Sequence, residues 1–280
     1  MSYKVGVIGA AGYAGAELVR LLLQHPEFDL TVITSNADAG TALADAYPAF
    51  AGASDLAFTT HDDPAVRECD LVFLAVPHTA AMSQVPALLD AGVTVVDLSA
   101  DYRLSDKDVY EQWYGATHTS PELLATRSFG LPELFGEDIE RAHALHEAGK
   151  PALVACAGCY PTATSLASAP AVRAGWTQGL VIVDAKSGVT GAGKGCSAKT
   201  HFCNADEDVQ AYNVGKHRHT PEIEQILGKP GEVVFTPHLV PQKRGLLSTV
   251  YLQLTGEAAD MSVEDMLECY HALYDGRAFV

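Results

Sequence analysis

Two short stretches carry side chains able to do covalent chemistry. One is Ala155-Cys156-Ala157-Gly158-Cys159-Tyr160-Pro161-Thr162-Ala163-Thr164; the other is Tyr212 to Ile223, where His217 and His219 flank Arg218. In the first, the apolar run Ala152 to Ala155 predicts a short buried strand, and the small residues after it make a turn. Pro161 then suits the first turn of a helix, where its missing N–H costs nothing. This order sets the Cys159 thiol beside the free N–H groups of a helix start, whose partial positive charge favours the attacking thiolate. Such a sulfur attacks an activated acyl group, expels the leaving group and holds a thioester. The N–H groups around Gly158 to Tyr160 are the expected oxyanion donors. A histidine, with a pKa near neutrality, would supply and remove the protons.

Positioning that sulfur requires a scaffold, and the scaffold begins at the N-terminus. Tyr3 to Ile8 reads as a buried strand and ends in Gly9-Ala10-Ala11-Gly12-Tyr13-Ala14-Gly15; a helical pattern with Leu18, Leu21 and Leu22 on one face follows, up to His25-Pro26. A glycine turn between a first strand and a first helix lets a backbone approach a pyrophosphate, which then sits on the helix N-terminus. The spacing is G-x-x-G-x-x-G, and its place within a βαβ unit is what makes it a dinucleotide site. Contacts are expected from Gly9, Ala11, Gly12, Tyr13, Ala14 and Gly15. The second strand, Leu30 to Thr34, ends in Thr34-Ser35-Asn36 and not in an acid, which favours the 2′-phosphate of NADP over the 2′-hydroxyl of NAD; Asp38 lies close enough to keep the choice open. A hydride from the nicotinamide would reduce the thioester to an aldehyde.

A third unit, Cys69 to His78, is an apolar strand whose polar loop puts Pro77 at the carboxyl edge, where open α/β sheets bind ligands. A helix over about 79–91 and a strand from Val93 to Leu98 lead to Asp101-Tyr102-Arg103. Arg103 is a candidate clamp for a substrate carboxylate or phosphate, or else an ordinary salt bridge. After Cys159 a helix runs to about Ala174, and the strand Leu180 to Ala185 enters the glycine-rich stretch Lys186 to Lys194. Backbone N–H groups in such a loop wrap a phosphate, although the spacing is not that of a nucleotide triphosphatase. Long strands follow at Phe235 to Pro241 and Leu246 to Leu254, and Ser262 with Asp265 caps a last helix ending near Gly276.

Bulk properties narrow the function class. A net charge of −17 argues against a nucleic-acid partner. Eight of the 18 Lys and Arg residues lie between Lys186 and Arg244, against six acids there, which suits a small anionic ligand. No apolar run approaches a spanning helix and no signal core follows the N-terminus, so a soluble, cytoplasmic protein with six reduced cysteines is expected.

Seven stretches, in order along nearly the whole chain, resemble the N-acetyl-γ-glutamyl-phosphate reductase family, relatives of aspartate-semialdehyde dehydrogenase. They are Gly9 to Leu18, Asp101 to Arg103, Gly130 to Leu134, Gly158 to Thr162, Ser187 to Gly193, His217 to Ile223 and Pro237 to Pro241. The resemblance implies an α/β fold: a Rossmann-type doubly wound parallel sheet over residues 1–157, then an α+β catalytic and dimerisation domain of the semialdehyde-dehydrogenase type over 158–280. It also implies a Cys159 nucleophile, a His219 acid/base with His217 nearby, NADP as cofactor with Ser187 and Gly188 among its contacts, and a homo-oligomer. Substrate contacts are implied for Arg103, Lys194, Arg218 and Glu222, and no metal. Three departures stand out. Ala157 replaces a usual Pro and leaves a Cys156-x-x-Cys159 pair. Lys194 replaces an Arg. The chain stops at Phe279-Val280 as a further strand begins, short of the family's return to the first domain, so a truncated chain with weak NADP binding is expected. Readings left open are a related acyl phosphate as substrate (aspartyl or carrier-linked aminoadipyl), an inactive NADP-binding fragment, and a zinc or dithiol site that starts from Cys156 and Cys159 with Cys196, Cys203, His201, His217 and His219 nearby.

Overall fold

The computed structural model describes residues 2–280, which divide into two compact units. The first takes the chain up to Glu111, then Gly115–Gly130 and Glu137–Cys156; the second takes Gln112–Tyr114, Leu131–Gly136 and everything from Ala157.

In chain order the elements up to Cys159 are β1 (Tyr3–Ile8), α1 (Tyr13–Leu22), β2 (Phe28–Thr34), α2 (Leu43–Ala46), β3 (Phe58–Thr59), β4 (Leu71–Leu74), α3 (Val85–Asp90), β5 (Thr94–Asp97), α4 (Lys107–Tyr114), β6 (Ser128–Gly130), α5 (Gly136–Glu147) and β7 (Leu153–Cys156). The strands form one parallel sheet in the order β3-β2-β1-β4-β5-β7-β6. Short runs of Val, Ile, Leu and Phe build it because a sheet covered on both faces has no solvent side to keep polar. The order reverses between β1 and β4, whose ends are joined by Ala75 N–H donating to Ile8 O at 2.8 Å. That reversal opens the crevice in which such sheets take a dinucleotide.

Three expectations shift here. Helix α1 buries Gly15, Val19 and Leu22, with Leu18 partly covered, whereas Leu21 is 55% exposed. The helix expected over about 79–91 is a 3-10 turn at Ala81–Ser83 followed by α3 alone, because Pro86 disfavours helical backbone before it and fits only a first turn. Strand β3 is two residues at the sheet edge, too short to give a periodic signal.

The second unit runs α6 (Cys159–Arg173), β8 (Thr177–Gly188), α7 (Phe202–Ala205), β9 (Gln210–Ala211), α8 (Thr220–Leu227), β10 (Val233–Val240), β11 (Leu246–Leu254) and α9 (Val263–Tyr274). Its mixed sheet has the order β11-β8-β10-β9, with β8 parallel to β10 and antiparallel to β11. Helix α6 packs on one face with α8 and α9 beside it. The opposite face leaves Leu180, Ile182, Val234, Leu247 and Tyr251 exposed. At α9 the expected capping box is formed, Ser262 Oγ accepting from Asp265 N–H and the Asp265 carboxylate accepting from Ser262 N–H. Strand β8 runs longer than expected. Lys186, Ser187 and Gly188 pair with His238, Leu239 and Val240, so this part of the supposed phosphate loop is sheet, with its backbone in register.

The glycine turn after β1 yields a sharp contrast. A Cβ on Gly15 would lie 2.4 Å from Gly9 O and 2.6 Å from Ala10 Cα, both backbone, whereas one on Gly12 meets nothing nearer than Gly9 O at 3.6 Å. Gly15→Ala is expected to destabilise the protein by about 1–3 kcal/mol in denaturant titration. Gly12→Ala should stay within about 0.5 kcal/mol; its effect falls on dinucleotide binding, where a methyl group fills the approach of the pyrophosphate.

Candidate active site at the start of α6

Helix α6 starts as its sequence requires. Gly158 is the N-cap in extended conformation (φ −67°, ψ 161°), Cys159 is the first helical residue, and Pro161 sits in the first turn without an N–H to satisfy. The Cys159 side chain is exposed. Thr162 N–H closes the first turn on Gly158 O at 2.9 Å. The Gly158 N–H donates instead to Glu222 Oε1 at 2.7 Å. Of the expected oxyanion donors the Gly158 N–H is thus engaged with Glu222, and the N–H groups of Cys159 and Tyr160 lie in the first turn of α6.

The residue after Cys159 gathers the rest. The Tyr160 ring lies edge-on to His217, His219 and Phe235, at centroid distances of 5.6, 6.0 and 5.1 Å. Its hydroxyl donates to His238 O at 3.2 Å and accepts from the Tyr212 hydroxyl at 3.2 Å. The two histidine rings are 4.9 Å apart. His219 N–H donates to His217 Nδ1 at 3.1 Å, so that nitrogen carries no proton. Burial first, and Arg218 second, lower the His217 pKa to about 4. His217 is a neutral imidazole at physiological pH. His219 is half-buried at the N-cap of α8. Sequence pattern alone does not single out Tyr160 and Tyr212, although one adjoins the nucleophile and the other opens the histidine stretch.

The remaining residues separate into those facing solvent and those built into the protein. Lys194 is exposed after the 3-10 turn Val189–Ala192. Arg218 is also exposed, its guanidinium 5.3 Å from the Tyr114 ring centroid. Glu222 is 1% exposed and holds the Gly158 turn, and Ser187 is buried with its hydroxyl on Gly188 O at 3.0 Å. In the first unit Arg103 is buried; its Nε donates to Cys156 O at 2.8 Å and an Nη to Leu98 O at 2.7 Å. Cys156 is the chemical opposite of Cys159: burial, then Asp97, push its thiol up to about 11, where it stays protonated. Among the described residues no disulfide joins any of the six cysteines, and no three His, Cys, Asp or Glu side chains gather as metal ligands.

The dinucleotide turn fits its group. Gly9 takes φ 85°, and the N–H groups of Gly9 and Ala10 donate to Thr34 O at 3.1 and 3.0 Å, which fixes the turn across β1 and β2. Gly12 is open on its Cα side, and the first turn of α1, which includes Tyr13, Ala14 and Gly15, holds no acid to repel a pyrophosphate. At the end of β2, Thr34 Oγ1 is 2.6 Å from His61 Nδ1 and Ser35 Oγ donates to Asp38 Oδ2 at 2.6 Å. Both hydroxyls therefore have protein partners. Pro77 is exposed in the loop after β4.

The neutral state of His217 has a consequence for acid stability. Its folded pKa of about 4 lies below the ordinary 6.5, so its contribution is fully present above about 6.5 and is lost as pH falls toward 4. His217→Gln should therefore lose stability less steeply than the parent in denaturant titrations between about pH 7 and 4. Parallel slopes for the two proteins would refute this assignment.

Residues 4–142 match the semialdehyde dehydrogenase NAD binding domain family, and residues 159–280 the semialdehyde dehydrogenase dimerisation domain family. The N-acetyl-gamma-glutamyl-phosphate reductase of Symbiobacterium thermophilum is 45% identical over 100% of this chain and 79% of its own length. That of Syntrophobacter fumaroxidans is 47% identical over 99% of this chain and 78% of its own. Aspartate semialdehyde dehydrogenase with NADP from Candida albicans has a TM-score of 0.72 at 20% identity, covering 96% of this chain and 76% of that one. Aspartate semialdehyde dehydrogenase II complexed with ASA from Vibrio cholerae has a TM-score of 0.70 at 14% identity, covering 96% and 78%. The two solved structures show the shared fold, and the two reductases show the family. The chain belongs to the N-acetyl-γ-glutamyl-phosphate reductase family.

Proposed function

We propose that this chain reduces N-acetyl-γ-glutamyl phosphate to N-acetylglutamate semialdehyde and phosphate, a cytoplasmic step of arginine biosynthesis, with NADPH as the reductant. The observation that carries the reading is the exposed Cys159 at the first position of α6, with Tyr160 bearing both histidines on its ring edges. The thiolate attacks the acyl carbon, the bond to the phosphate oxygen breaks, and the acyl group stays on sulfur as a thioester. The N–H groups of Cys159 and Tyr160 stabilise the oxyanion. Reduced nicotinamide, when bound, supplies the hydride for the second half. His219 takes the thiol proton, gives it to the oxygen of the thiohemiacetal that reduction leaves on Cys159, and takes it back as that adduct collapses. The C–S bond breaks, the sulfur leaves as thiolate and the semialdehyde is released, while neutral His217 holds the His219 backbone through Nδ1. Exposed Lys194 and Arg218 meet the anionic substrate. The dinucleotide lies on the glycine turn, its contacts including Gly9, Ala11, Gly12, Tyr13, Ala14, Gly15 and Pro77. The Candida albicans relative in fold was solved with NADP, and β2 ends here without an acid, which supports NADP.

Cys159→Ala should lower phosphate-dependent reduction of NADP by the semialdehyde by at least about 10³-fold while leaving dinucleotide binding unchanged. Substantial turnover in that variant would end the thioester mechanism. His219→Asn should lose about 10²–10⁴-fold, and His217→Asn markedly less. Limiting iodoacetamide followed by mass spectrometry should label Cys159 before the other cysteines, with protection by the acyl phosphate. Comparing kcat/KM for aspartyl and acetylglutamyl phosphates separates the related substrates.

The same proposal gives the exposed sheet face a partner. A second copy covers Leu180, Ile182, Val234, Leu247 and Tyr251, within the domain whose family is described as a dimerisation domain. The assembly is a homo-oligomer, a dimer or a tetramer. Ile182→Lys should shift sedimentation toward the monomer, and an unchanged distribution would exclude this face.

A further inference from the structure

From sequence the Asp101-Tyr102-Arg103 stretch is only the source of a substrate clamp, yet each of its side chains is buried. Arg103 braces Leu98 O and Cys156 O, and the Tyr102 hydroxyl lies 2.6 Å from Ser120 Oγ. Asp101 does something else. Fully buried, its carboxylate accepts from the N–H groups of Thr79 at 2.7 Å, Ala81 at 3.0 Å and Met82 at 3.3 Å, and from the Tyr110 hydroxyl at 2.9 Å. Four donors fill a carboxylate's acceptor sites. Its own backbone is held from both sides, Asp101 N–H donating to Ser99 Oγ at 3.1 Å and Asp101 O lying 2.9 Å from His118 Nε2.

Three of those four donors belong to one loop. It leaves β4, the strand across which the sheet order reverses from β1, and so lines the carboxyl-end crevice. Pro77, His78 and Thr79 are exposed at its tip. Thr79 takes φ 74°, a left-handed conformation that a β-branched residue adopts only when its surroundings impose it. Here the imposing group is identifiable. The N–H of the strained residue makes the shortest of the four hydrogen bonds to Asp101.

We propose that Asp101 is a positioning residue for the nicotinamide half of the cofactor: its buried carboxylate locks the Pro77–Met82 loop, left-handed Thr79 included, into the wall of the crevice. This rests on the dinucleotide reading above and adds to it the group that shapes the wall. Asp101→Asn presents an NH2 group where an acceptor stood, so one side of the donor set loses its partner.

The test is calorimetric titration of the full chain with NADPH and with 2′,5′-ADP, which lacks the nicotinamide half. Asp101→Asn should weaken NADPH at least about tenfold, the loss of one hydrogen-bonded charge, with 2′,5′-ADP held within about twofold. Adding Thr79→Gly, which takes the left-handed conformation unaided, should recover most of the NADPH affinity. Thr79→Pro cannot adopt φ 74° or donate to Asp101 and should show the same split between ligands, with circular dichroism matching the parent. Equal loss of both ligands, or NADPH affinity unchanged in both single variants, overturns the proposal while leaving the dinucleotide reading intact. Failure of the parent protein to bind either ligand overturns both.

Discussion

One hydrogen bond holds the chemistry of the second unit in register: the Gly158 N–H donating to the buried Glu222 carboxylate. Burial makes a carboxylate costly unless donors reach it, and the N–H at the α6 N-cap is one that does. Glu222 lies in the first turn of α8, three residues after the N-cap His219. The bond therefore ties two helix starts together, one carrying the sulfur and the other the imidazoles. α6 and α8 also pack along their lengths, so the junction is not a loop free to drift.

Around that junction the environment separates groups of the same chemical type. Cys156 is driven toward the thiol by burial, whereas Cys159, three residues on, is exposed at the first position of α6. His217 is held neutral by its surroundings and engaged through Nδ1. Burial likewise raises the pKa of Tyr160 and Tyr212, which keeps both phenols protonated and able to donate in the chain Tyr212 to Tyr160 to His238 O.

What is legible in the sequence follows the same division. The glycine turn after β1, the start of α6 and the Ser262 capping box depend on residues within a few positions of one another, and local pattern is enough to place them. Glu222 and Arg103 have backbone partners 64 and 53 residues away, and a charged side chain inside a motif looks the same whether it meets a ligand or a distant carbonyl. Ser187 and Gly188 resemble loop because glycine and small polar residues normally signal one. Their place in β8 is fixed by pairing with β10, which no local window contains. Leu21 fails differently: the stripe of α1 that faces the sheet is set by Gly15, whose missing side chain allows the backbone of the turn to approach, and this rotates Leu21 outward.

The sheet of the second unit connects its two faces through one strand. β10 presents Val234 on the exposed face, and its His238 carbonyl receives the Tyr160 hydroxyl beside the nucleophile. On the exposed face the charges are already paired: Asp184 lies 2.7 Å from Lys186 Nζ and 3.3 Å from His238 Nδ1. Covering isolated charges would carry a large desolvation cost, and pairing within the strands reduces it before any partner arrives. A partner packed over this face would therefore meet an apolar surface with its ions internally compensated. It would also restrain β10 and, through the His238 carbonyl, the tyrosine against which both histidines rest. Such a partner would couple assembly to the order of the surroundings of Cys159 through a single backbone strand, a coupling that requires no movement of the cysteine itself.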